Sequence, residues 1–384
     1  MNPEDCIKYA DIINIGEGYI SLPKLVKSIT EDWHDVTIPN IWIKDKTHII
    51  KNKTNFLIKD LDTIPFADYS DDNKLFIDNN KIYYTNYNNH INKKYHIMSS
   101  LDCPFSCSFC CNNQLKYKNA SIRRRTVENI IQELEIAKKI YQFQYVEFWD
   151  DVFTIDLNWL QAFTDEYKKR VNLPAFCYSQ ASTVNEDIVN KLHEAGIKKV
   201  TLGIQSGSER IRKESYNRYG TNKQIIEAAN LFNKHKIFVN YDFIIGNPEE
   251  TNNDMKKSFE LILKLPHPLA LSVSSLLYFP NCEITVRHLK NNLITRKDVE
   301  DISKKALKKF GLLIKLNSNK NYCYWSFMYF LAGYIKLTKT FKEILISKRF
   351  YKFSILIIVP IYYILQTMVY LQRKYPIFKR KVHL

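Results

Sequence analysis

At 384 residues, 45% of them hydrophobic, the chain can bury a substantial core as two domains or one large α/β barrel with appendages, which excludes a short stapled scaffold. Its eight cysteines, four of them between Cys103 and Cys111, are too few and too uneven for a disulfide framework and point to a metal in a reducing cytoplasm. The formal charge of +16 suits a nucleic acid, an anionic membrane surface or an acidic substrate, but Lys and Asn crowd every surface-like segment, so much of it reads as composition.

Three regions separate by pattern: residues 1–94, 95–285 and 286–384. Residues 1–10 hold no basic stretch followed by an apolar one, so no signal peptide is expected. Asp11–Ile15 reads as a short buried strand, followed by Gly16-Glu17-Gly18 and an amphipathic helix over Leu22–Ile29. The Asn- and Lys-rich stretch Asp71–Lys94 predicts a linker or an exposed hairpin.

The middle region alternates short apolar runs with longer helical periods. Strands are expected over Tyr95–Ser99, Tyr145–Phe148, Phe176–Ser179, Lys199–Gly203, Phe238–Ile245 and Leu269–Leu276. Helices are expected between them, over Thr126–Tyr141, Leu157–Lys169, Glu186–Ala195, Asn222–His235 and Asn253–Leu263. Six βα repeats predict an α/β fold built as a partial (βα)6 TIM-like barrel, with its chemistry on the loops after the strands. Tyr178, Gln180 and Tyr241 could face its cavity or pack its wall.

Directly after the first of these strands stands Cys103-Pro-Phe-Ser-Cys107-Ser-Phe-Cys110-Cys111. Thiolates are soft ligands for iron–sulfur clusters or zinc, and this spacing lets one loop wrap one cluster. Structural zinc favours four ligands, commonly as two Cys-x2-Cys pairs or with histidines nearby, and neither pattern is present. Three ligands suit a four-iron cubane whose fourth iron takes an outside ligand. Cys111, adjacent to Cys110, is assigned to packing or to supporting the loop.

This loop, with Phe109 before its third cysteine, resembles the signature of the radical S-adenosylmethionine (SAM) superfamily, and the resemblance extends over residues 95–285. It implies a [4Fe-4S] cluster on Cys103, Cys107 and Cys110. It also implies reductive cleavage of SAM to a 5′-deoxyadenosyl radical, with an electron donor such as flavodoxin or ferredoxin. Phe109 is carried over with the loop as a cofactor contact. Tyr145-Val-Glu-Phe-Trp-Asp150-Asp151 resembles the motif that binds the SAM amino group, which assigns that cation to Asp150 and Asp151 in place of the commoner Gly-Gly-Glu. Gly203-Ile-Gln205-Ser206-Gly207 resembles the segment contacting ribose and carboxylate, with Gln205 where relatives carry Glu. Phe243-Ile244-Ile-Gly246-Asn-Pro248-Glu249 resembles the adenine motif, with Ile244 against the base, Gly246 allowing close approach and Glu249 replacing a turn glycine.

Residues 5–18 with Ile58–Phe66 are similar to the end of the cobalamin-binding domain and linker of cobalamin-dependent radical SAM proteins. On that resemblance residues 1–94 are a truncated remnant of a Rossmann-like domain. The cobalamin-gripping loops would lie upstream, which leaves cobalamin binding in doubt. Residues 286–384 are expected to be helical. Residues 353–371 form an uncharged, nearly continuous apolar run flanked by basic residues, near the minimum length for a span. Three readings stay open for it: a helix on the inner membrane surface, a buried helix over the barrel's open side, and a true span. The substrate is expected to be small or lipid-like, with the protein cytoplasmic or peripheral on the membrane. A tRNA- or peptide-modifying enzyme and a non-catalytic cluster-binding relic are the alternatives, and nucleic acid is disfavoured because the lysines are scattered rather than striped.

Overall fold

The computed structural model describes residues 2–31, 35–45, 48–54, 57–78, 80–85, 93–114, 122–300 and 320–334. After a short turn of helix, α1 (Pro3–Cys6), strand β1 (Ile12–Asn14) leads into α2 (Ser21–Thr30). A hairpin of β2 (Ile41–Asp45) and β3 (His48–Lys51) follows, with β2 antiparallel to both β1 and β3. Leu25 of α2 packs with Ile38, Ile41 and Ile43 into a small separate core. This differs from the expected unit in two ways. The strand is half-buried rather than buried, and it pairs antiparallel, whereas a Rossmann-like strand runs parallel to its neighbours. The short β2–β3 connection accounts for that antiparallel pair, whereas β1 reaches β2 through α2, so its antiparallel pairing is a separate feature of this sheet.

Residues 57–70 run along the main body, where Asp62 accepts bonds from the Thr126 amide (3.0 Å) and hydroxyl (2.5 Å). The Asp71–Lys94 stretch contains the expected exposed hairpin, β4 (Phe76–Asp78) and β5 (Lys81–Tyr83), paired antiparallel with Ile77 and Ile82 exposed.

The main body is an open sheet of six parallel strands standing in chain order: β6 (Lys94–Ile97), β9 (Tyr145–Phe148), β10 (Ala175–Ser179), β11 (Ile197–Gln205), β12 (Phe238–Ile245) and β13 (Leu269–Ser275). Two short strands, β7 (Ser100–Leu101) and β8 (Arg123–Arg124), pair antiparallel between β6 and the first crossover helix. The crossovers are α3 (Val127–Tyr141), α4 (Leu157–Glu166), α5 (Glu186–Glu194), α6 (Asn222–Lys234) and α7 (Asn252–Ile262). Each begins at a side chain that bonds an otherwise orphaned amide: Thr126, Asp156, Asn185, Thr221 and Thr251. Thr221 and Thr251 complete capping boxes with Gln224 and Asp254.

The outer face of the sheet buries Val146, Phe148, Val200, Leu202, Tyr241 and Phe243 under these helices. The C-terminal region adds α8 (Glu283–Lys290) and α9 (Lys320–Tyr334). Helix α9 lies in the core against α7 and β13, with Tyr324 and Met328 fully buried and the Tyr329 hydroxyl donating to the Met255 carbonyl at 2.8 Å. Among the described residues no helix is long and apolar enough to cross a membrane. The apolar run 353–371 lies outside the described residues.

Candidate cofactor site

The C-terminal ends of the strands meet the cysteine loop, and the loop is held from three sides. At its start, Asp150 at the end of β9 is fully buried and accepts bonds from the Ser99 amide (3.1 Å), the Ser99 hydroxyl (2.6 Å) and the Ser100 hydroxyl (2.5 Å). Next to Cys103, Asp102 adopts a left-handed backbone (φ 71°). It accepts from Arg123 Nε at 2.8 Å. The same guanidinium bonds the Ile58 carbonyl at 2.5 Å and pairs with Glu17, so the Gly16-Glu17-Gly18 turn reaches the loop. These two carboxylates hold Arg123 firmly in its charged form.

In the middle of the loop, Ser108 donates its amide to the Tyr216 carbonyl (3.0 Å) and its hydroxyl to the Ser215 carbonyl (2.6 Å). Its own carbonyl accepts from the Ile284 amide of α8 at 3.1 Å. Phe109 packs edge-on against Tyr216 at 5.2 Å, within a cluster that includes Ile244, Leu276 and Tyr278.

Cys107 is buried, whereas Cys103, Cys110 and Cys111 are half-buried, and all eight cysteines are reduced. Burial pushes the Cys110 thiol up to about 12. Arg218 places Nη1 3.6 Å from the Cys107 sulfur while Nη2 bonds the Gly203 carbonyl at 2.6 Å, which fixes a guanidinium beside the loop. Among the described residues no three His, Cys, Asp or Glu side chains surround a single-ion site. A cubane's three thiolates each bind a different iron, so they need not converge on one point. Three reduced, soft donors on one anchored loop with an adjacent guanidinium fit such a cluster.

The structure sorts the remaining expected residues by side. Asp151 is exposed and accepts from Asn112 Nδ2 of the cysteine loop at 2.7 Å, while Asp150 faces the interior and is saturated by Ser99 and Ser100. The expectation that both carboxylates present themselves to a cation is therefore corrected for Asp150. Gln205, with φ 71°, and Ile244 line a cavity of about 330 Å³ with Tyr178, Thr201, Asn240, Asp242, Phe243, Ser272 and Ser274. Gly246 has φ 83°, and a Cβ there would meet nothing within 4 Å, so the space before it is open and only its left-handed backbone constrains it. Ser206 is a second correction: fully buried, it turns onto α7, where its hydroxyl lies 3.5 Å from Glu250 and 3.4 Å from Ser258. Tyr178 faces the cavity, but Tyr241 and Gln180 are buried.

Glu249, standing where relatives carry a turn glycine, pairs with Arg287 (3.3 Å) and lies 3.5 Å from the His288 ring, which ties the end of β12 to α8. Its neighbour Glu250 is buried with its carboxylate 3.5 Å from the Ser206 hydroxyl, and burial pushes its carboxyl up to about 8. An unfolded glutamate titrates near 4.3, so the folded state binds the proton more tightly and stability falls as pH rises from about 4.3 through 8. Glu250→Gln, which cannot ionise, is expected to match the wild type near pH 5 and exceed it by about 1–3 kcal/mol at pH 8.5. Urea midpoints at both pH values check this; a variant-minus-wild-type difference that stays flat with pH refutes it.

Residues 97–262 match the Radical SAM superfamily profile. The chain carries a radical SAM domain over these residues. Among curated proteins, the chain is 26% identical over 285 residues to an uncharacterized methyltransferase of Pyrococcus horikoshii, covering 74% of this chain and 59% of the relative. It is 30% identical over 175 residues to the tRNA-2-methylthio-N(6)-dimethylallyladenosine synthase of Petrotoga mobilis, covering 42% of this chain and 38% of that protein. The chain thus spans about six tenths of the length of the first relative and less of the second. In fold it is similar to the cobalamin- and [4Fe-4S]-containing radical SAM methyltransferase TsrM of Kitasatospora setae, at a TM-score of 0.62, 16% identity and coverage of 75% and 56%. It is also similar to the cobalamin-dependent radical SAM enzyme OxsB, at 0.64, 14% identity and coverage of 99% and 67%. Radical SAM enzymes use a [4Fe-4S] cluster with SAM.

Arg218, Arg123 and Glu17 escaped sequence reasoning. Arg218 follows Gln205 by thirteen residues with no motif around it, and Arg123 and Glu17 are far apart in the chain.

Proposed function

We propose that the protein is a radical SAM enzyme acting on a small molecule held in the concave face of its sheet. The observation that carries this reading is the anchored three-cysteine loop standing beside the cavity edged by Gln205 and Ile244. In the proposal Cys103, Cys107 and Cys110 hold the cluster. When bound, that cluster supplies the single electron that splits SAM into methionine and a 5′-deoxyadenosyl radical, which takes hydrogen from a substrate carbon. Asp151 receives the SAM ammonium, Arg218 its carboxylate and Gln205 the ribose hydroxyls. Ile244 and Phe109 give the adenine an apolar wall, and Gly246 leaves it room. Asp150 and Ser206 act indirectly, by fixing the loop and the turn after β11. A flavodoxin- or ferredoxin-type donor supplies the electron.

The polar lining of the cavity, with Thr201, Asn240, Asp242 and Ser272, supports a hydrogen-bonding substrate over a lipid. Cobalamin stays outside the proposal because residues 12–51 form an antiparallel sheet. Anaerobically reconstituted protein given dithionite and SAM is expected to release 5′-deoxyadenosine and methionine in equal amounts. Iron-loaded protein that releases neither would refute the reading and favour a non-catalytic relic.

A further inference from the structure

Strands of an all-parallel sheet are normally covered on both faces and read as continuous apolar runs. Here they alternate. Along β12, Val239, Tyr241, Phe243 and Ile245 are buried, while Asn240, Asp242 and Ile244 on the inner face are only half-buried. Along β9 the inner positions are Tyr145, Glu147 and, just beyond, Trp149. Among the described residues, the concave face is therefore built of polar and aromatic groups that no apolar layer covers.

We propose that the part of this face below the SAM end is a recognition site for a substrate carrying a protonated amine beside a flat apolar group. This rests on the radical SAM reading above and names its substrate class. Asp242 sits two residues, roughly 6.6 Å, below Ile244 on the same side of β12. Its Oδ1 accepts from Asn240 Nδ2 at 2.9 Å, and Asn240 is itself held by Ser272 at 3.0 Å, so the carboxylate is fixed in place. Among the described residues Asp242 forms no ion pair, although burial makes its charge costly, as the upward shift of its pKa shows. Glu147, the other acid on this face, is already paired with Lys94 (2.7 Å) and His96 (3.4 Å). Lys199 and Arg218 act on Asp242 only at longer range, so among the described residues it is the acid of this face without a salt-bridge partner.

The flat partner surface stands next to it. Tyr178, which lines the cavity with Asp242, meets Trp149 edge to face at 5.9 Å, and Trp149 lies 5.6 Å from the His96 ring. Trp149 is 46% exposed, a large aromatic surface adjoining the cavity through Tyr178. An ammonium over such rings gains cation–π attraction and neutralises Asp242, and an attached flat group would stack on Trp149. The cavity is about 330 Å³ in all, and with its Gln205 and Ile244 edge given to SAM the part around Asp242 suits only a small ligand. Neither an anionic nor a purely aliphatic substrate satisfies these groups.

The test is equilibrium dialysis of reconstituted holoenzyme at saturating SAM against phenethylamine and against 3-phenylpropionate, its acidic counterpart. The amine is expected to bind about tenfold or more tighter than the acid, and Asp242→Asn should abolish that preference. Trp149→Leu, at a half-exposed position that tolerates change, should weaken the amine several-fold and serves if Asp242→Asn does not fold. The proposal is overturned if the acid binds as well as the amine, if no amine binding is seen to about 10 mM, or if both variants keep the preference. Displacement of the amine by SAM also overturns it, because Asp242 then serves the cofactor. That result leaves the radical SAM reading intact, and failure of SAM cleavage with amine selectivity retained leaves the site intact.

Discussion

Replacing Cys103, Cys107 or Cys110 with alanine is expected to remove the broad visible absorbance of the anaerobically reconstituted protein and all SAM cleavage with it. Each thiolate of a three-cysteine cubane holds a separate iron, so losing one leaves two corners unprotected and the cluster unstable. The loop itself should survive, because its fixed points are backbone and hydroxyl bonds: Ser108 to Tyr216, Ser215 and Ile284, and Asp150 to Ser99 and Ser100. Loss of iron without loss of fold therefore separates ligation from architecture, and far-ultraviolet circular dichroism supplies the second reading. Cys111→Ala and Cys282→Ala are the controls and should keep about wild-type iron. Retention of iron in all three ligand variants, or a loss in Cys111→Ala equal to that in Cys110→Ala, would sink the assignment.

The second large effect concerns a residue with no chemistry. Gly207 faces the backbone of α7 so closely that an added Cβ would collide with the Ser258 Cα and lie 2.6 Å from the Lys257 carbonyl. Neither obstacle is a flexible side-chain tip, so Gly207→Ala must push the turn after β11 away from the helix. That also strains the Gly207 amide bond to Ser258 Oγ (2.7 Å) and the Ser208 hydroxyl bond to Asp254 (2.6 Å). The expected cost is about 3 kcal/mol of stability, read as a lower urea midpoint, with weakened SAM binding because Gln205 stands two residues before. Gly246→Ala provides the contrast. There the added carbon meets nothing and only the left-handed backbone is penalised, at about 1–2 kcal/mol. Equal effects at the two positions would show that the α7 contact does not limit the turn.

Most strands and crossover helices lie within one or two residues of where the hydrophobic periods put them, because each strand is bounded by a turn and each helix by a capping side chain. The site was less legible, and the errors share a cause. Successive side chains of a strand alternate faces, so Asp150 belongs with buried Val146 and Phe148, and Asp151 with half-buried Glu147. The same parity puts Ser206 with Leu202 and Ile204 inside, and Gln205 with Gly203 on the cavity side. A motif match names a loop, whereas the pleat decides which of its residues faces the ligand. The polar alternation of β12 was visible by this rule too. What no local pattern could give was pairing direction in residues 12–51, since a lone strand carries no sign of its neighbour's polarity, and the long-range partners Arg123, Glu17 and Arg218.

Arg123 joins Glu17, the Ile58 carbonyl and Asp102 through one planar group, so the small antiparallel sheet and the cysteine loop share a single hinge pin. Thermodynamic linkage then runs both ways. Whatever free energy metal loading spends on ordering the loop is felt by residues 12–58, and whatever loosens that sheet is charged against metal affinity by the same amount. That segment thereby becomes a reporter of cluster occupancy, legible in the hydrogen-exchange protection of β1 and β2.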